Sequence, residues 1–126
     1  MKPTIFCIIL LLSIYSSYSQ TPDDTKRLMT AFLQELREGN TKSDAQFVTQ
    51  YYAAGFANNI PLKVHLKIIE DLRKDFSHFE IVSQNDASTR CTVIIKSPFN
   101  KKKQISIVAD KEDHSKISFI DIKNPN

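Results

Sequence analysis

Thr89-Arg90-Cys91-Thr92-Val93-Ile94-Ile95-Lys96-Ser97 and, after a short polar gap, Gln104-Ile105-Ser106-Ile107-Val108-Ala109-Asp110 are the runs whose reading decides the fold. Both are rich in β-branched residues, both are too short for a stable helix, and the gap from Pro98 to Lys102 has turn composition, so they read as two antiparallel neighbours. Working outward, Phe79 to Gln84 and Lys116 to Ile122 repeat the pattern, separated from the central pair by polar turns at Asn85-Asp86 and Lys111 to Ser115. Links this short favour antiparallel pairing, which gives a four-strand meander. Upstream of Phe76 the apolar period changes from 2 to 3.6.

That upstream half predicts three helices. Asp23 and Asp24 suit a helix start; Leu28, Met29, Phe32, Leu33 and Leu36 then recur on one face until Gly39-Asn40 ends it. A second helix, with Thr41 and Ser43 as caps, presents Phe47, Val48, Tyr51, Tyr52 and Phe56 and loosens from Gly55 to Asn59. A third opens at Pro61 and carries Leu62, Leu66, Ile69, Leu72 and Phe76. Helices followed by strands make a segregated α+β chain: three N-terminal helices packed on one face of a curved four-stranded antiparallel meander sheet.

The helix-facing side of the sheet is expected to collect Phe79, Ile81, Cys91, Val93, Ile95, Ile105, Ile107, Ile117 and Phe119. Simple alternation sends Val82, Ile94, Val108, Ile120 and Ile122 to the other side, where a solvated antiparallel sheet would be polar. Five aliphatic residues there mark a docking face for a second copy or another protein, unless strand curvature or the C-terminal tail covers them.

The N-terminus reads as an address. Met1-Lys2 is a positive start, Ile5 to Ile14 is almost wholly apolar, and Ser17-Tyr18-Ser19 places small residues where a signal peptidase cuts, between Ser19 and Gln20. An apolar run of about ten residues is roughly half of a membrane span. Residues 1-19 are therefore expected to be a cleaved signal peptide and 20-126 a single secreted or periplasmic domain, with no stable membrane insertion after cleavage. Loss of Lys2 from 17 basic side chains leaves 16 against 14 acidic, a net charge of +2 that does not call for nucleic acid or another polyanion. Loss of Cys7 leaves Cys91 alone, so no internal disulfide can form, and its alternating apolar surroundings suit a packed thiol better than a reactive one.

Chemistry is sparse. Two glycines, Gly39 and Gly55, cannot build a phosphate-binding loop, a dinucleotide fingerprint or a nucleophile elbow. No His, Cys, Asp or Glu spacing suggests a metal, no cofactor is called for, and no serine has an activating frame. Glu112-Asp113-His114 reads as a solvated turn. Glu70, Asp71 and Asp75 mixed with Lys67, Arg73 and Lys74 read as an exposed, ion-paired helix face. Lys101-Lys102-Lys103 beside Phe99 reads as a soluble hairpin tip that discourages pairing at a sheet edge. The ligand-binding candidates are Tyr51, Tyr52 and His65: the histidine falls on or beside the apolar stripe of the third helix, where it is either a base or a packed structural side chain.

From Tyr51 through Lys123 the chain resembles the nuclear-transport-factor-2-like, cystatin-like α+β superfamily. The resemblance rests on Gly55-Phe56, Pro61-Leu62, Ile68 to Phe76, Lys103-Gln104-Ile105-Ser106 and Lys116-Ile117 to Ile122. It is similar more narrowly to accessory domains found ahead of secreted serine hydrolases of the β-lactamase fold and of some secreted peptidases. The resemblance implies a cone of helices and curved sheet whose mouth can hold a small apolar ligand, and an outer sheet face that often forms a homodimer. Some members are isomerases, dehydratases or cyclases using an Asp, His or Tyr inside the cone; the accessory domains are not known for chemistry of their own. The sequence ends at Asn126, soon after the last strand, so help to a covalently attached enzyme is not expected. The expected function is an exported non-catalytic binding or interaction module, with a small cone enzyme as the alternative.

Overall fold

The computed structural model describes residues 21–126, so the expected leader, Cys7 and the cut between Ser19 and Gln20 lie outside the described residues. Among these residues four helices precede four strands: α1 (Pro22–Glu38), α2 (Thr41–Tyr51), α3 (Ala54–Asn59), α4 (Leu62–Phe76), β1 (Glu80–Asp86), β2 (Arg90–Lys96), β3 (Lys102–Ala109) and β4 (Ile117–Lys123). The strands lie in sequence order, every neighbouring pair antiparallel, with the helices packed on one face. The expected α+β meander is therefore the observed architecture.

Local chemistry sets the helix ends. Pro22 opens α1, and the amide of Thr21 donates to the Asp24 carboxylate at 3.0 Å, satisfying a donor the helix cannot. The cap of α2 is Asn40, one residue before the expected Thr41: its side chain accepts from the Ser43 amide at 3.0 Å while Ser43 Oγ accepts from the Asn40 amide at 2.9 Å. The second helix stops earlier than its apolar spacing predicts. Tyr52 turns to extended backbone, bridges in parallel to Ile117, and the Ala53 amide donates to the Ile117 carbonyl at 2.8 Å. A backbone bond to β4 thus divides the expected second helix, and Phe56 moves to the separate short α3.

The core lies between α1, α4 and the inner sheet face. Cys91, Val93, Ile95, Ile105, Ile107 and Ile117 are fully buried beneath Phe32, Met29, Ile69 and Phe76, each 1% exposed. Thr25 ties α1 to the β1–β2 turn, its hydroxyl donating to the Ala87 carbonyl at 3.1 Å.

Two β-bulges correct the expected division of faces. Between Ala109↔Ile117 and Val108↔Phe119 the register skips Ser118, and one extra residue reverses the alternation beyond it. Ile120 and Ile122 consequently stand opposite Ile107 and Ile105, packed against the core, and are not outer-face residues. Phe119, expected inside, is 47% exposed. A second bulge between Ile81 and Ser83 leaves Val82 at 49% and Ile81 at 45% exposure on the edge strand, so Ile81 is not a core residue either. Val82, Ile94, Val108 and Phe119 remain as the outer apolar set, interrupted by the Thr92–Ser106–Asp121 row. The hydroxyls of Thr92 and Ser106 lie 2.9 Å apart in that row. The outer face is thus two small apolar patches across a polar seam.

Candidate functional site

Tyr52 and His65 converge, as their positions before α3 and on the inner stripe of α4 require. The Tyr52 and Phe56 rings stack at 4.8 Å, and the imidazole meets both edge-on, at 5.0 Å and 5.1 Å. Phe119 closes the cluster from β4 at 6.3 Å from Phe56. Tyr52 is 6% and His65 2% exposed, and His65 Nε2 has no hydrogen-bond partner among the described residues. Burial, aided by the Asp44 charge, pushes the Tyr52 phenol well above its usual range. Among the described residues no hydrogen bond joins either side chain to a polar companion, which acid–base chemistry needs.

Tyr51 points elsewhere. Its ring packs on Phe47 at 4.6 Å, and its other side borders a hollow of about 280 Å³ shared with Asp24, Arg27 and His114. His114 is not the solvated turn residue the sequence suggested: Nδ1 lies 3.6 Å from Asp24 Oδ2, and its side chain is only 14% exposed. Arg27 holds the other oxygen of Asp24 at 2.6 Å. Among the described residues, no group of three or more His, Cys, Asp or Glu side chains is arranged to hold a metal ion.

Arg73, expected on an exposed face, instead joins two buried or half-buried carboxylates that the sequence reading did not single out. Asp44 is fully buried on α2 and takes both arms of the Arg73 guanidinium, Nη1 donating to Oδ2 at 2.8 Å and Nη2 to Oδ1. Arg73 also donates to the carbonyls of Leu36 at 3.3 Å and Glu35 at 3.0 Å, serving the end of α1 as well. Glu35 Oε2 accepts from Ser43 Oγ at 2.6 Å and lies 3.7 Å from Arg73. Burial, with the Asp44 carboxylate beside it, raises the Glu35 pKa; hydrogen bonding to Asp44 raises that of Arg73. Spacing carries a signal for this network. Arg73 follows Ile69 by one helical turn and Asp44 precedes Phe47 and Val48, so both lie on inward stripes.

This network clamps α1, α2 and α4 together, every charge in it directed at another member. Cys91 is as inert as expected. It is fully buried, its thiol donates to Asp86 Oδ1 at 3.0 Å, and burial with that carboxylate pushes its pKa to about 12. Lys101, Lys102 and Lys103 stand where β2 turns into β3, and β3 is an interior strand, so they guard no sheet edge. No helix among the described residues is long and apolar enough to cross a membrane. Compared with protein families, curated proteins and solved structures, the chain matches none of the three.

Proposed function

We propose that this chain is an exported, non-catalytic interaction module of the nuclear-transport-factor-2-like kind, and that it docks a second copy through its outer sheet face. The observation carrying this reading is the solid helix–sheet interior: Phe32 and Phe76 sit at 1% exposure on a sheet face whose central side chains are fully buried. A small ligand needs a concave, largely preformed space with a few convergent polar groups. Here the residues that would line a cone pack on one another, and the aromatic neighbours of His65 occupy the space a substrate would take. The alternative, an isomerase, dehydratase or cyclase, would need that cluster to open.

The docking residues of the proposal are Val82, Ile94, Val108 and Phe119. Its test is the solution mass by light scattering of the native protein and of Val108→Lys with Phe119→Lys. A native dimer of fixed mass that becomes a folded monomer in the double variant supports the reading. A native dimer unmoved by the change removes the outer face from it. Ile120→Lys serves as control and is expected to unfold the protein, because that side chain packs against the core.

A further inference from the structure

The β2–β3 hairpin tip carries an anchor. Phe99 is 84% exposed, more than any other large apolar side chain described, yet the turn presenting it is tightly bonded. Ser97, 1% exposed, accepts on its hydroxyl from the amides of Phe99 and Lys101, both at 3.2 Å. Its carbonyl accepts from the Asn100 amide at 3.1 Å and its own amide donates to the Lys101 carbonyl at 2.8 Å. Asn100 holds φ 63, left-handed backbone that asparagine tolerates better than most residues. An aromatic ring on a stiff turn loses little freedom when it docks. Lys101, Lys102 and Lys103 follow after Asn100; Lys101 lies 3.4 Å from the exposed Asp75 and Lys103 donates to Asn124 at 2.7 Å, surface contacts that a stronger partner can displace.

The opposite end of the molecule carries a groove of about 620 Å³. Ala53, Ala54 and Ala57 leave a shallow floor beside Tyr52, and Leu62, 48% exposed, forms an apolar rim. The facing wall is the β3–β4 turn, with Asp110, Glu112 and Asp113. That wall is also stiff: Asp110 accepts from the amides of Glu112 and Asp113 at 3.1 and 3.0 Å, and Asp113 from that of Ser115 at 3.1 Å. Lys116, the one cation among the described residues that line the groove, is committed to the Gln50 carbonyl. Glu112 and Asp113 thus set two exposed carboxylates beside an apolar floor.

We infer that this groove receives the Phe99 hairpin tip of a second copy, its ring on the alanine floor and its lysines against Glu112 and Asp113. The two features are complementary in polarity and charge, and one molecule cannot bring them together. They lie at opposite ends of β3, whose 8 residues span about 26 Å. The contact is therefore heterologous and runs head to tail, giving open chains whose mass climbs with concentration, unlike the fixed mass of an outer-face dimer. The inference rests on the interaction-module reading but uses none of the outer-face residues.

The test follows self-association of the purified protein by sedimentation velocity from micromolar to millimolar concentration, at low and high salt. The native protein is expected to grow in mass with concentration and to lose this growth in high salt. Phe99→Ser, which keeps the groove, and Ala54→Lys with Glu112→Lys, which keeps the tip, are each expected to weaken association at least tenfold. Mixed, each carrying Val108→Lys with Phe119→Lys to remove the outer-face contact, they are expected to form one-to-one pairs and nothing larger, since only one good tip and one good groove remain. Melting curves followed by circular dichroism show that each variant is folded before mixing. A native mass independent of concentration overturns the inference, as does a mixture that stays monomeric. Native binding to phosphatidylglycerol vesicles that Phe99→Ser abolishes, without self-association, also overturns it and assigns the tip to an anionic lipid surface. Loss of association in Val108→Lys with Phe119→Lys, with both tip and groove variants unaffected, sinks this inference while sparing the outer-face reading.

Discussion

Asp44→Asn is the most informative single change in the helical half of the protein. It keeps the shape of the side chain but replaces a fully buried carboxylate that receives both arms of Arg73. Removing one member of a buried pair costs about 3–5 kcal/mol, because the other charge is left without its partner. The structure argues for the lower end. The Arg73 side chain is 17% exposed, keeps the carbonyls of Leu36 and Glu35, and has Glu35 Oε2 at 3.7 Å as a second carboxylate. About 3 kcal/mol in a domain of this size corresponds to a fall of roughly 10 °C or more in melting temperature. Urea titrations of Asp44→Asn, Arg73→Met and the double variant measure the coupling directly. If the two single changes simply add in the double variant, or Asp44→Asn costs under about 1 kcal/mol, the clamp does not hold the helices as the contacts indicate.

Two further outcomes follow from the same corner of the fold. Gly39→Ala is expected to destabilise by about 1–3 kcal/mol, the usual cost of overpacking, read as a lower urea midpoint at unchanged slope. Its Cβ would lie 1.9 Å from Glu35 Oε2, which can swing away, and 2.5 Å from the Glu35 carbonyl oxygen, which cannot. Glu35→Gln tests the sign of a linkage. The folded-state pKa of Glu35 is raised, so the native chain holds that proton more tightly than the unfolded chain. Its contribution to stability is full below the ordinary carboxylate pKa and is lost as pH rises through the raised folded value. Relative to the native protein, Glu35→Gln should therefore gain stability as pH climbs from the usual carboxylate range towards neutrality. A difference that is flat, or that slopes the other way, refutes the assignment.

The change of period after Phe76 made the α+β class legible, and the stripes of α1 and α4 gave much of the core: Leu28, Met29, Phe32, Leu33, Leu36, Ile69, Leu72 and Phe76 are all buried. What escaped is what alternation cannot encode. A bulge adds one residue to one strand, and nothing in Lys116-Ile117-Ser118-Phe119 distinguishes the bulged register from the regular one until the partner strand is known. One skipped residue was enough to carry Ile120 and Ile122 inward and Phe119 outward. The end of α2 failed for the same reason, since Tyr52 and Phe56 have helical spacing and only the backbone bond from Ala53 to β4 breaks it. Arg73 differs from its expected place on an exposed, ion-paired face for another reason. Its charge suggests solvent while its spacing from Ile69 places it on the inward stripe, and position prevails because the buried Asp44 satisfies that charge.

The edges of the sheet limit how copies of this chain can meet. An unpaired strand edge invites addition of another strand, and each edge here is blunted differently. Part of the β4 edge is occupied, since Tyr52 bridges Ile117 and Ala53 donates to it. β1 is exposed along its whole length, but the bulge at Val82 breaks its register, and Glu80 and Asp86 place carboxylates at its two ends. Lys96 pairs with Glu80 at 2.9 Å, adding a second charged side chain at that corner. Strand addition is thus disfavoured at both edges, and association must be carried by side chains. The exposed large apolar residues left for it are Val82 and Phe119 on the outer face, Ile81 on the β1 edge, Val64 and Ile68 on α4, Phe99 at the hairpin tip and Leu62 on the groove rim. Phe119, with half-buried Val108 opposite it, can support a symmetric dimer of fixed size, whereas a tip-to-groove contact repeated head to tail builds a chain. Concentration dependence of mass is therefore the observable that separates the two modes.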